Sequence, residues 1–168
     1  EFEEAVECGK NSIDLHPYQQ VGRVHYANAL ERMGRVDQAL AELRMASMMS
    51  PDLPWLRAME AICLAKHGWR TEALAVLDEL QNLREREYVD AYFMALLLDA
   101  LGRRDQAFAE LERARRENSA TLFLMNVDVR GEELRKDPRF KPLLRRVFGG
   151  GNTSQKADRQ RSLTPAAV

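Results

Sequence analysis

The 168 residues carry 25 Lys and Arg against 26 Asp and Glu, for a formal net charge of −1. That near-balance gives no overall field to draw the chain onto nucleic acid or an anionic membrane surface. Hydrophobic residues at 45 % with 30 % charged exclude a disordered chain, and no apolar run approaches the ~20 residues of a membrane span.

The chain opens EFEEAVE, without the basic-then-apolar layout of a signal peptide. Its two cysteines, Cys8 and Cys63, each fall on an expected helix. They read as unbridged buried thiols, which points to a reducing, cytoplasmic setting. Residues 1–17 read as a half repeat whose helix covers 1–15, with Phe2, Val6 and Ile13 as its apolar stripe and Gly9 where a leucine is expected. This is half a helical hairpin, so a larger protein is expected upstream. The bare stripe is a candidate self-association patch.

Next, Gly34–Ala46 reads GRVDQALAELRMA and returns at Gly102–Ala114 as GRRDQAFAELERA, with a looser copy, GWRTEALAVLDEL, at Gly68–Leu80. The glycines are 34 residues apart. If each is position 15 of a unit, position 20 is Ala5, Ala39, Ala73 and Ala107. Position 8 is Ala27, Ala61 and Ala95; position 11 is Leu30, Leu64 and Leu98; position 24 is Leu43, Leu77 and Leu111. Position 32 is Pro17 and Pro51, then Glu85 and Ser119. Small residues at 8 and 20 let two antiparallel helices approach closely, and the leucines fill the seam. Glycine at 15 can take the left-handed conformation that closes the first helix, and proline at 32 stops the second. One hairpin cannot bury its own apolar face, so neighbours must stack. The spacing predicts units at 18–53, 54–87 and 88–118.

Residues 119–148 then read as a C-terminal cap. Ser119 is expected to cap a short helix burying Leu122, Leu124 and Met125. Asp137 and Pro138 are expected to open another, with Phe140, Leu143, Leu144, Val147 and Phe148 inward. Residues 149–168 are glycine-rich, then polar, and read as a flexible polar tail.

The 34-residue pattern resembles the tetratricopeptide repeat family, with departures. Position 4, often aromatic there, is Arg23, Arg57 and Ala91, and position 27 of the third unit is Leu80 where a small residue is usual. The resemblance implies an all-α, right-handed superhelix of antiparallel helix pairs, about three and a half repeats with a C-terminal capping helix. From Tyr88 to Val147 the chain resembles the tetratricopeptide regions ending many bacterial multidomain signalling proteins, after a winged-helix, Ser/Thr kinase or nucleotide cyclase domain. That resemblance rests on Asp137-Pro138-Arg139-Phe140, on Leu143-Leu144-Arg145-Arg146, and on a decayed first copy at Asp128-Val129-Arg130. It implies a module from a bacterial regulatory protein.

In that family a stripe at positions 2, 5, 9, 12 and 13 of each first helix lines the concave face. Here it is Val21, Val24, Asn28, Glu31 and Arg32; Trp55, Ala58, Ile62, Ala65 and Lys66; and Val89, Tyr92, Leu96, Asp99 and Ala100. An apolar centre with a charged rim suits a peptide held by hydrophobic side chains, with Trp55 and Tyr92 as anchors. A carboxylate clamp is not expected, because Val24 and Ala58 stand where lysine is wanted. No metal, cofactor or catalytic group is expected either. His16, His25 and His67 are scattered, neither cysteine has a second at ligand spacing, and Gly149–Gly151 lead into no helix that could cradle phosphate. The carboxylates are expected on solvated helix faces among arginines, and Met45, Met48 and Met49 as adaptable packing.

From Arg135 to Arg161 there are nine Lys/Arg against two Asp/Glu. This reads as a solvated cap and tail, with no nucleic-acid partner expected. The expected function is a non-enzymatic module that docks a protein or peptide partner. The alternative is a structural spacer or oligomerisation element associating through the N-terminal helix or the C-terminal tail.

Overall fold

The turns between helices show how the pattern folds. Gly34, Gly68 and Gly102 all have positive φ, +75°, +94° and +75°, a conformation that costs an L side chain but not glycine. The next residue donates its N–H back into the helix, Arg35 to Leu30 O, Trp69 to Leu64 O and Arg103 to Leu98 O, at 2.8–3.0 Å. Gly34 and Gly102 add bonds to Glu31 O and Asp99 O. Each first helix therefore ends in a Schellman-type cap that satisfies its last carbonyls and reverses the chain.

The computed structural model describes residues 2–16 and 18–149. Pro17, the side chains of Phe2 and Ala5, and the tail expected beyond Gly149 lie outside the described residues. The helices are α1 (Phe2–Leu15), α2 (Gln20–Arg32), α3 (Val36–Met49), α4 (Pro54–Lys66), α5 (Arg70–Leu83), α6 (Ala91–Ala100) and α7 (Arg104–Arg116). Two 3₁₀ helices, Ala120–Asn126 and Val129–Gly131, lead to α8 (Glu132–Lys136) and α9 (Phe140–Phe148). The chain is all-α, built of sequential antiparallel pairs: α2 with α3, α4 with α5, α6 with α7. α1 packs on α2, while α3–α4 and α4–α6 contacts join the pairs. No helix among the described residues is long and apolar enough to cross a membrane.

The small positions lie in the seams. Ala39, Ala73 and Ala107 are fully buried, as are Ala27, Ala61 and Ala95 and the leucines at positions 11 and 24. α6 is the most enclosed helix, with every residue from Ala91 to Leu98 buried. The arginines at position 4 have work an aromatic would not do. Arg23 reaches Glu42 at 2.6 Å and Arg57 reaches Glu79 at 2.7 Å, each bridging the two helices of its own pair. Glu60, itself buried, is held between Arg57 and Arg44. Arg84 spans from the end of α5 to Glu110 of α7 with two bonds of 2.7 and 3.0 Å.

Several expectations are corrected. Gly9 stands where a leucine cannot, since a Cβ there would come within 2.9 Å of Tyr26 Cβ and 3.0 Å of its Cα. α1 thus lies close on α2, leaving Val6 and Ile13 half-buried instead of bare. The exposed apolar side chains near this end are Leu15 and Tyr18. Both cysteines are free, but only Cys63 is buried; Cys8 faces outward. Met45 and Met48 are exposed, so they are not packing residues. Glu60 and Asp128 depart from the expected solvated carboxylates, being buried against arginines.

In the cap, Ser119 does accept from Thr121 N–H, but the helix it opens is 3₁₀. The hydroxyls of Ser119 and Thr121 donate to the Asp90 carboxylate at 2.9 and 2.8 Å, tying this turn to the start of α6. Asp137 accepts from Arg139 N–H at 2.9 Å, yet α9 begins only at Phe140. Phe140 and Leu143 are buried, Leu144 and Val147 half-buried. Phe148, expected inward, is 54 % exposed.

Candidate functional site

Residues 119–148 were expected to close the outer face of the stack. α9 packs there, with the Arg139 guanidinium 4.2 Å over the Phe108 ring of α7, 2.7 Å from Asp105, and Arg146 paired with Glu112. The segment before it folds back over the faces of α4 and α6. The Tyr92 hydroxyl donates to Asp128 Oδ2 at 3.2 Å. The Arg130 guanidinium forks onto the same carboxylate at 2.8 and 3.0 Å and reaches the Met59 sulfur. Arg135 donates to Asp128 O at 2.6 Å, and Gly131 lies so close that a Cβ would stand 3.5 Å from Leu96 Cδ2.

This return corrects the expected groove. Tyr92, named as an anchor, is 2 % exposed and held by the chain's own Asp128. Ala58, Ile62 and Leu96 are likewise buried. Asn28 is half-buried and Arg32 exposed. Lys66 and Asp99 line a separate polar hollow of about 340 Å³, where Asp99 pairs with Arg104 at 2.7 Å. Burial pushes the Asp99 carboxyl above its usual range despite that partner. Of the predicted stripe, Val21, Val24 and Trp55 line the main cleft.

That cleft, about 740 Å³, opens at the N-terminal ends of α2, α4 and α6. Val21, Val24 and His25 form one wall; Leu53, Pro54 and Trp55 form the floor with Phe93; Tyr88 and Glu87 stand at the rim. Thr121, Phe123, Leu124 and Arg130 of the folded-back segment close the far side. Trp55 and Phe93 stack with ring centroids 5.7 Å apart, so the floor is an aromatic surface. Phe123 stands 65 % exposed over it.

The charges in the cleft are unequal. Arg130 is neutralised by Asp128, and the Asp90 carboxylate is taken up by the two cap hydroxyls and Tyr92 N–H. Asp52 and Glu87 remain exposed at the edge, leaving the mouth mildly acidic. Burial raises the Tyr88 phenol above its ordinary value, helped by the nearby Asp90 charge, so the rim phenol stays neutral at pH 7.

No family model, curated protein or solved structure matches the chain. His25 and Phe93 were missed because they fall at position 6, outside the stripe considered. Position 6 lies four residues after position 2, one helical turn along the same face, so Val21–His25 and Val89–Phe93 spacing was the available signal. Phe123 and Arg130 carried no such signal, since their place depends on the fold-back of the cap.

A second cluster also escaped the sequence reading. Glu31, Cys63 and His67 bring their ligand-type atoms within 4.8 Å of one another. His67 Nε2 lies 3.1 Å from Glu31 Oε1. Burial pushes the Cys63 thiol up to about 12, with the Glu31 charge adding to it. Neither cysteine has a second at ligand spacing; the legible sign was Cys63 and His67 one turn apart at the end of α4.

Proposed function

We propose that this chain is a non-enzymatic interaction module of the tetratricopeptide type, docking an apolar peptide segment that carries basic residues into the cleft at the head of α2, α4 and α6. The stacked antiparallel pairs support the repeat reading, as do the buried alanines at one register and the left-handed glycines 34 residues apart. The cleft itself carries the docking reading: an aromatic floor of Trp55 on Phe93, the exposed Phe123 above it, and acidic Asp52 and Glu87 at the mouth. Its volume lies within the range of sites that enclose a few side chains of a ligand. An aromatic floor supplies anchor area at low entropic cost. On this reading the module belongs to a larger cytoplasmic bacterial regulator.

The test is selection of a random displayed peptide library on the full chain, with counter-selection on Phe123→Asp. Phe123 is exposed, so that change alters the cleft and leaves the core alone. Enriched peptides should pair aromatic or large aliphatic residues with Lys or Arg, and should lose at least about tenfold in affinity, roughly 1.4 kcal/mol, on the variant. Peptides that bind both proteins equally would refute docking in this cleft.

A further inference from the structure

We propose that Glu31, Cys63 and His67 form a binding site for a zinc-class divalent transition-metal ion, clamping the C-terminal end of α2 to that of α4. Cys63 lies on the last turn of α4 and His67 is its C-cap; Glu31 comes from the last turn of α2. The three ligand-type atoms lie within 4.8 Å of one another, and the imidazole is already 3.1 Å from the carboxylate. Tetrahedral zinc bonds of about 2.0–2.3 Å set ligand atoms roughly 3.5 Å apart. Closure therefore asks for rotamer adjustment by Glu31 and the part-exposed His67, while buried Cys63 stays in place.

The donor set is one sulfur, one imidazole nitrogen and one carboxylate oxygen. That combination selects zinc and its neighbours over magnesium or calcium, which take all-oxygen shells. Charge agrees. The thiol would release its proton to solvent on binding, and thiolate plus carboxylate then balance a dication. A water completes the fourth position. The site lies at the opposite ends of the two helices whose beginnings line the cleft, so it is independent of peptide docking.

Cobalt(II) is the probe, titrated into the full chain carrying Cys8→Ser to remove the exposed thiol. A thiolate-to-cobalt charge-transfer band should grow to one equivalent and be abolished by zinc. It should vanish in Cys63→Ala. In His67→Gln, affinity should fall by more than the ~10–100-fold that loss of a merely supporting partner costs. Zinc, but not magnesium, should raise the melting temperature. Absence of the band, or its survival in Cys63→Ala, overturns the site. If circular dichroism shows Cys63→Ala unfolded, His67→Gln and Glu31→Gln decide, and unchanged cobalt affinity in both overturns it equally.

Discussion

At Gly34, Gly68 and Gly102 a Cβ would meet nothing within 4 Å, while φ lies between +75° and +94°. Alanine substitution there isolates the backbone cost of the left-handed conformation from any steric clash. Gly68→Ala should therefore lower unfolding free energy by about 1–2 kcal/mol, measured by urea denaturation at constant m-value. A neutral result would mean that the turn, and the repeat register built on it, does not need this residue. Asp128 shows the opposite kind of constraint. Burial by itself would raise its carboxyl, but the hydrogen bonds and charge of Arg130, with the Tyr92 hydroxyl, more than offset this and hold it below the ordinary range. A depressed folded pKa means the stabilisation is complete above the unfolded value of about 3.9 and is lost as pH falls through the folded value. Asp128→Asn should cost about 2 kcal/mol at pH 7, and its gap from wild type should narrow below about pH 4. A gap of equal size at pH 7 and pH 3 would refute the carboxylate's role in pinning the cap.

Among elements, the paired helices were legible because their causes are local and periodic. Alanines at positions 8 and 20 marked the close seams, and each glycine marked a cap whose hydrogen bonds lie within six residues of it. Gly9 was legible as a departure but not as a contact, because its reason is Tyr26 on the neighbouring helix. The candidate site was far less readable. Val24 and Trp55 were placed by register alone, whereas Tyr92 is closed off by Asp128, 36 residues later in the chain. Nothing periodic announces that residues 120–136 will turn back over α4 and α6 instead of extending the stack. Their 3₁₀ helices have no helical stripe to read. The arginines at position 4 looked like weakened repeats; they instead bridge the two helices of their pairs to Glu42 and Glu79.

For the molecule as a whole, a stack of pairs derives its stability from neighbours, so protection should rise from the edge inward. α6 is buried along eight consecutive residues, packs on both α4 and α7, and is crossed by the returning cap. α1 touches mainly α2, and none of its described side chains is buried. Native-state hydrogen exchange should therefore be fastest in α1 and slowest in α6, with α2 between them, because α2 loses cover whenever α1 opens. Replacing Gly9 by leucine should sharpen this gradient. The larger side chain cannot fit against Tyr26, so α1 should exchange faster while α6 stays unchanged. Exchange-detected mass spectrometry reads both outcomes by peptide. Equal protection of α1 and α6, or a Gly9→Leu effect spread evenly along the chain, would mean that the chain opens as one indivisible unit. The pairwise account of its stability would then fail.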